Sequence, residues 1–212
     1  GPAYTVYHKA CLLHAIGVPL DGVALDFPVS AADRELADGI LSGLGLRARD
    51  RIAVVAPGSR RDDKRWPGER FAVVADSLAE THGMRVLFVC GPGEAPQVAA
   101  VRDAMAQPSA FSPEPLSLAV VQALLQRSAL FVGNDTGLRH MAVAAGLPTV
   151  AIFGQPSATS WTPPDAARHR SLEYDPGCKA TCRPHTCRFE CLRGTTAEAV
   201  LKAVDAVTHR AD

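Results

Sequence analysis

The four residues Asn134–Gly137, with the sequence NDTG, lie where the apolar run Ala129–Gly133 gives way to a helical pattern. The apolar run predicts a buried strand. A helix that begins at Thr136 directs unpaired N–H groups and a partial positive charge toward the end of that strand. Thr136 adds a hydroxyl, Gly137 allows close approach to the backbone, and His140 lies one turn later. This pattern predicts a phosphate site; the alternative is that one of the two side chains before Thr136 only caps the helix.

A second loop, with the sequence PGSRRDDKRWP, runs from Pro57 to Pro67 between another predicted strand and helix. Its spacing is not that of a P-loop. Gly58 and Ser59 nevertheless offer backbone and hydroxyl donors, and the loop also carries four cations: Arg60, Arg61, Lys64 and Arg65. The alternative is a solvated loop of mixed charge, but a second candidate anion-binding loop on the same sheet edge favours a binding site.

A third junction, with the sequence CGPGEAP, places Glu94 at the start of a helix. A carboxylate beyond a strand end can bind the hydroxyl groups of a ribose. The alternative is that Glu94 only stabilises the positive end of its helix.

Apolar runs and helical patterns alternate along the chain from residue 50 onward. The runs are continuous rather than alternating, which indicates a parallel sheet covered on both faces, a doubly wound Rossmann-like α/β fold. Strands are expected at Arg51–Ala56, Arg85–Gly91, Ala129–Gly133 and Thr149–Phe153. Helices are expected at 4–16, 31–44, 67–83, 94–105, 117–128 and 136–145, and from a capping box at Thr195 and Glu198 to about Thr208.

The charge balance of the 212-residue chain limits the classes of partner. Lys+Arg and Asp+Glu count 22 each, so no broad basic field is available and nucleic acid is not expected as a partner. No apolar run reaches transmembrane length. The chain begins Gly1-Pro2 without Met, from which we expect the native protein to extend further toward its N-terminus.

Three segments closely resemble family nine glycosyltransferases, the ADP-heptose:lipopolysaccharide heptosyltransferases. They are PGSRRDDKRWPGERFAVVADSL, RVLFVCGPGE and FVGNDTGLRHMAVAAGLPTVAIFG. The resemblance covers roughly residues 50–208, in the family's order and spacing. It implies the GT-B architecture, in which two Rossmann-like domains face each other across a cleft. On this reading residues 1–49 are the tail of the N-terminal domain with a linker, and residues 50–212 are the C-terminal domain that binds the nucleotide sugar.

The resemblance also implies roles for individual residues. Ser59 and Lys64 would contact the donor diphosphate, with Lys64 stabilising the leaving group, and Glu94 would reach the adenosine ribose. The second wall of the site would comprise Asp135, Thr136, Gly137 and His140. Two positions depart from the family pattern, Arg139 and the segment 155–157 (QPS), so the donor sugar stays open.

The implied reaction is inverting transfer of heptose, or a related sugar, from an ADP-sugar to a lipopolysaccharide core acceptor. The general base would belong to the absent N-terminal half, so this chain alone is expected to be inactive, and no cofactor is required. A cytoplasmic location is expected, at the inner-membrane face, with membrane contact through the missing domain. A non-catalytic nucleotide-binding module that acts through a partner chain is the alternative. A hydrolase or epimerase is disfavoured because no G-x-S-x-G or paired-carboxylate motif is present.

Four cysteines cluster near the end of the chain: Cys178, Cys182, Cys187 and Cys191. Four thiolates can hold a structural zinc ion or a metal cluster. The C-x2-C spacing typical of zinc knuckles is missing, so free thiols or disulfides remain alternatives. His185 lies in the same segment and could replace one ligand.

Overall fold

The computed structural model describes residues 4–19, 22, 24–113, 116–154, 158–178, 181–182 and 187–208. Within this part of the chain, six parallel strands form one sheet in the order β3-β2-β1-β4-β5-β6. The strands are β1 (Ile52–Ala56), β2 (Arg85–Phe88), β3 (Ser109–Phe111), β4 (Leu130–Asn134), β5 (Thr149–Phe153) and β6 (His169–Glu173). This order defines a doubly wound sheet whose topological switch point lies between β1 and β4.

Helices cover both faces of the sheet, as the continuous apolar runs predict. Their bounds are α1 (Thr5–Ala15), α2 (Ala31–Gly43), α3 (Gly68–Glu80), α4 (Ala95–Asp103), α5 (Leu118–Gln126), α6 (Gly137–Ala144), α7 (Ala158–Trp161), α8 (Glu190–Gly194) and α9 (Ala197–Thr208). One core cluster joins α3, α4 and α9 to the sheet, and a second joins α2, α5 and α6 to its other face. The prediction of a doubly wound α/β fold is confirmed.

Helix α2 belongs to the second core cluster although it precedes the first strand. Its Ala37 and Leu41 are buried in the same cluster as Val120 and Leu124 of α5. Ser30 caps α2 in a reciprocal capping box with Asp33. Residues 31–43 therefore share a core with the sheet, while the division of the chain into domains at residue 49 stays a prediction.

Two strands were not predicted, and both lie at the edges of the sheet. β3 has only three residues, all half-buried. β6 has the polar sequence HRSLE, of which only His169 is buried. An edge strand has one neighbour and less apolar contact, so its sequence lacks the continuous apolar run of a central strand.

Most of the predicted helices start one residue later in the structure, α3 and α9 among them. Pro67 is the N-cap of α3 rather than its first residue, because its ψ of 129° is extended. At α9 the capping contact comes from Thr196, whose hydroxyl accepts the Ala199 N–H at 3.1 Å. The predicted capping box of Thr195 and Glu198 is therefore displaced. The carbonyl of Thr195 instead accepts the indole N–H of Trp66 at 2.9 Å.

Candidate functional site

The switch point between β1 and β4 brings the first two predicted loops together. Ala56 of β1 lies in register with Gly133 of β4, so the loops that follow these strands leave the sheet side by side. There the ammonium of Lys64 donates to Asp135 Oδ2 at 2.6 Å and approaches the Asp135 carbonyl at 3.4 Å. The Asp135 side chain is buried and Lys64 is partly exposed. Two residues 71 positions apart thus form one polar site at the sheet edge.

A single buried amide joins these loops. Asn134 Nδ2 donates to the Pro57 carbonyl at 2.8 Å, and Asn134 Oδ1 accepts the Trp66 backbone N–H at 3.1 Å. Asn134 therefore fixes the loop after β1 and does not cap α6, while Asp135 is held by Lys64. The capping alternative for these two side chains is thus excluded. This positioning role of Asn134 was not predicted.

The N-terminus of α6 carries a hydroxyl that has no hydrogen-bond partner in the described part of the chain. Thr136 is the N-cap residue, but its side chain makes no capping hydrogen bond. Its Oγ1 is buried without a hydrogen-bond partner among the described residues. Apart from its two chain neighbours and the backbone of α6, no described atom lies within 4 Å of the position that a Cβ on Gly137 would take. An orphan hydroxyl beside open space at a helix N-terminus is a fitting place for an oxyanion.

His140 lies one turn into α6 and faces the ring of Trp161. The two ring centroids are 5.5 Å apart, with an interplanar angle of 64°. Burial lowers the pKa of His140, and the nearby charge of Arg139 lowers it further. The imidazole therefore enters the site as a neutral group at pH 7.

Arg139, one of the two departures from the family pattern, is completely buried. Its Nη1 donates to the Trp161 carbonyl at 2.7 Å, and its guanidinium carbon lies 5.1 Å from the centroid of the Phe153 ring. Its Nε and Nη2 have no hydrogen-bond partner among the described residues. Burial lowers the pKa of Arg139, against the opposing effect of the Asp135 carboxylate. The other departure, residues 155–157, lies outside the described residues.

Ser59 is placed differently from the expectation of an open phosphate donor. It is buried, and its Oγ accepts the Arg61 N–H at 3.1 Å. Its backbone N–H donates to Gln97 Oε1 at 3.2 Å, and its carbonyl accepts Arg65 Nη2 at 2.7 Å. These bonds shape the loop, and a direct contact of the Ser59 hydroxyl with a ligand stays a prediction.

Glu94 packs between the second and third loops, two strands away from Asp135. Its Oε2 accepts the Gly91 N–H at 2.9 Å. A Cβ on Gly58 would lie 2.4 Å from the same oxygen, so any larger residue there would have to displace the Glu94 side chain. The carboxylate thus has a fixed position at the β2 side of the site.

The cysteine-rich segment follows β6 and lies near the second loop, because the charge of Asp63 acts on the thiol of Cys182. Cys178, Cys182, Cys187 and Cys191 are free and partly exposed. Burial and the neighbouring thiols raise the pKa of Cys182. Among the described residues no three His, Cys, Asp or Glu side chains are placed to hold a metal ion. His185, the alternative ligand, lies outside the described residues.

A cavity of about 500 Å³ lies near this segment, between the start of α3 and α8. It is lined by Arg65, Pro67, Glu69, Arg70, Phe189, Leu192 and Arg193, and contains none of the predicted donor-binding residues. We place the functional site at the switch point instead, because the orphan hydroxyl and the Lys64–Asp135 pair lie there. No helix in the described ranges is long and apolar enough to cross a membrane.

The strand order, with polar loops gathered at the carboxyl ends of β1, β2 and β4, defines a Rossmann-like domain of the kind that makes up GT-B glycosyltransferases. Residues 5–193 match the sequence profile of glycosyltransferase family 9 (heptosyltransferase). The chain therefore belongs to this family, and the resemblance noted from its motifs is confirmed.

Individual relatives agree with this assignment. Lipopolysaccharide heptosyltransferase 3 of Escherichia coli K12 is 29% identical over 127 residues, which are 58% of this chain and 36% of the relative. The structure of a family 9 glycosyl transferase from Veillonella parvula superposes with a TM-score of 0.85 at 24% identity, covering 100% of this chain and 61% of the other. The structure of E. coli heptosyltransferase WaaC with ADP superposes with a TM-score of 0.62 at 21% identity, covering 93% of this chain and 54% of the other. The chain thus spans about a third of that curated relative and just over half of these solved chains.

Proposed function

We propose that this chain is the donor-binding portion of an inverting glycosyltransferase that transfers heptose, or a related sugar, from an ADP-sugar to a lipopolysaccharide core acceptor. One observation carries the proposal. Lys64 and the N-terminus of α6 meet at the switch point, beside the hydroxyl of Thr136, which has no hydrogen-bond partner among the described residues. A cation, a helix N-terminus and a free hydroxyl are together suited to a diphosphate.

In this proposal the diphosphate shares Lys64 with Asp135, since an ammonium has three N–H donors. When the bond between the anomeric carbon and the diphosphate breaks, negative charge grows on the leaving phosphate. Lys64 and the N–H groups at the start of α6 would stabilise that charge, and they would do so without a metal ion. The neutral His140 would offer a hydrogen bond without adding charge.

The nucleotide would extend from the diphosphate toward β2, where Glu94 would accept hydrogen bonds from the ribose hydroxyls. The fixed position of this carboxylate between Gly58 and Gly91 supports the assignment. ADP is the proposed nucleotide because one structural neighbour is the E. coli ADP-heptose lps heptosyltransferase II and WaaC was solved with ADP.

The base that deprotonates the acceptor belongs, in this proposal, to an N-terminal half comparable with the part of the relatives that this chain does not match. The chain alone would then bind the donor and transfer no sugar. Residues 1–49 would lead from that half, and residues 50–212 would form the donor domain. Contact with the acceptor and with a membrane surface, and a cytoplasmic place at the inner membrane, would likewise concern the whole enzyme.

A structural metal at the four cysteines remains a separate prediction. The described residues do not assemble a ligand set. Metal analysis of the purified protein, with thiol titration before and after chelation, tests it. Chelation should leave donor binding unchanged whichever way that test falls, because the proposed donor site contains no cysteine.

Calorimetric titration with ADP, UDP and GDP tests the main proposal. ADP should bind most tightly, and adding EDTA should not weaken it. Equal affinities for the three nucleotides would contradict the proposed donor. Sugar transfer to a lipopolysaccharide core acceptor by this chain alone would contradict the placement of the base.

A further inference from the structure

Trp161 presents an indole ring at the border of the candidate site. The chain has two tryptophans. Trp66 is 1% exposed and belongs to the core, whereas Trp161 is 37% exposed and ends the short helix α7. Its ring lies against His140, one turn from Thr136. The indole therefore borders the proposed phosphate site on the side away from Glu94.

The backbone that carries this ring is firmly held. The Trp161 carbonyl accepts a hydrogen bond from the buried Arg139 at 2.7 Å. The next residue, Thr162, donates its backbone N–H to the Ala158 carbonyl at 2.9 Å, and its hydroxyl lies 2.6 Å from Ser171 Oγ on β6. A rigid aromatic surface loses little conformational entropy when it binds a ligand.

The order of the strands gives the direction in which a bound donor would run. Glu94 follows β2, the Lys64–Asp135 pair lies where β1 and β4 end, and Trp161 follows β5. Neighbouring strands are about 4.8 Å apart, so these groups succeed one another across the sheet edge. A nucleotide sugar with its ribose at Glu94 and its diphosphate at Lys64 would carry its sugar toward β5.

We propose that Trp161 is the surface on which the pyranose ring of the donor sugar stacks, and that Arg139 positions it. The inference rests on the proposed function, since it takes the diphosphate site as given. One face of a pyranose exposes mainly C–H groups, which pack on an indole while the hydroxyls remain free for polar partners. Trp161 is thereby a sugar-binding residue, and Arg139 acts through the Trp161 carbonyl.

Affinity and fluorescence measured on the 212-residue chain test the proposal. ADP, ADP-heptose and ADP-glucose are titrated into wild type, Trp161→Ala and Trp161→Phe. We expect both sugars to bind wild type more tightly than ADP does. Trp161→Ala should weaken the binding of the two nucleotide sugars about five- to tenfold and change the affinity for ADP by less than about twofold. Trp161→Phe, which keeps an aromatic ring, should retain most of the affinity for the nucleotide sugars.

Acrylamide quenching adds a readout that a merely structural role would not change. In wild type the exposed Trp161 provides the quenchable emission, and Trp161→Phe leaves only the buried Trp66 as the reference. The nucleotide sugars should protect Trp161 from acrylamide, and ADP should not. Arg139→Met should weaken this protection, whereas Val73→Ala, which alters an exposed apolar side chain on α3, should change neither the protection nor the affinity for ADP.

The contradicting outcomes are distinct. If ADP binds wild type but neither nucleotide sugar gains affinity over it, or if Trp161→Ala has no effect, the stacking proposal is wrong and the diphosphate site stands. An equal loss for ADP and both sugars would place the nucleotide on Trp161 and also overturn it. Failure of ADP itself to bind wild type would overturn the proposed function, and the stacking proposal with it.

Discussion

The ammonium of Lys64 lies 2.6 Å from Oδ2 of Asp135, so a cation suited to a diphosphate is already paired with a buried carboxylate. The pair keeps the carboxylate from being buried without a partner. It also means that a bound phosphate would share Lys64 with Asp135, because an ammonium has three N–H donors. Stability and binding can therefore be separated by substitutions at these two positions.

Lys64→Ala should weaken ADP binding by about tenfold or more, because a charge-assisted hydrogen bond contributes roughly 1.5–3 kcal/mol. It should also lower the free energy of unfolding by about 1–3 kcal/mol, since Asp135 loses its partner. Adding Asp135→Asn should recover part of that stability but none of the affinity. Calorimetry and chemical denaturation measure the two effects, with adenosine as the ligand that lacks phosphate. An equal loss of adenosine affinity would show that Lys64 does not contact phosphate.

Thr136→Val should weaken ADP binding without lowering the stability of the protein. The hydroxyl is buried without a partner in the described part of the chain, so its removal should leave stability unchanged or slightly higher. If the hydroxyl donates to the diphosphate, affinity for ADP should fall about tenfold. Thr208→Val on α9, where the hydroxyl bonds the Val204 carbonyl, is the matched control and should leave ADP binding intact. A Thr136→Val protein that binds ADP like wild type would remove Thr136 from the site.

Gly58→Ala should displace Glu94. The new Cβ would lie 2.4 Å from Glu94 Oε2 and 2.9 Å from Glu94 Cβ, which is too close for either atom. If Glu94 binds the ribose, wild type should bind ADP more tightly than its 2′-deoxy and 3′-deoxy analogues. Gly58→Ala should lose this preference for ADP. Gly39→Ala on α2 has open space around its Cβ and should retain it. A preference that survives in Gly58→Ala would argue against ribose recognition by Glu94.

His169 should make stability depend on pH below neutrality. Its imidazole is buried against the Thr149 hydroxyl, at 2.9 Å, and burial lowers its pKa to about 4. The unfolded chain has an ordinary pKa near 6.5, so it takes up a proton first as the pH falls. The stabilising contribution is complete above about pH 6.5 and is lost as the pH falls toward 4.

Between pH 7 and pH 5, wild type should therefore lose about 2 kcal/mol more stability than His169→Asn. Urea denaturation at the two pH values measures this difference, in which the other titrating groups largely cancel. Parallel losses in both proteins would mean that His169 is not the group responsible.

Central and peripheral parts of the fold differed in how well their sequences predicted them. β1, β2, β4 and β5 are buried on both faces, and a continuous apolar run is sufficient to indicate such a strand. β3 and β6 are edge strands, and the three residues of β3 carry too little pattern to read. The predicted helix starts were inexact because a start depends on backbone angles, and residue type alone does not determine these angles, as Pro67 shows.

The gathering of the predicted loops at one sheet edge was predicted, but the contacts between their side chains were not. Strand ends in a parallel sheet meet at one edge, so the grouping of Lys64 with Thr136 followed from the alternation of elements alone. The pairing of Lys64 with Asp135 and the bridging by Asn134 depend on side-chain direction, which a single sequence does not reveal. Arg139 was noted only as a departure from the family pattern, and its burial behind Trp161 had no signal in the sequence.

Trp66 lies at the centre of a set of contacts between distant parts of the chain. Its backbone N–H is bound by Asn134, its indole N–H by the Thr195 carbonyl, and its ring packs edge-on against Phe71 at 4.9 Å. The loop that carries Lys64 is thus anchored when the core forms, so the entropy of ordering it is lost during folding and not on encounter with a ligand. Association at this loop should accordingly resemble the docking of a rigid surface, with little slow rearrangement after first contact.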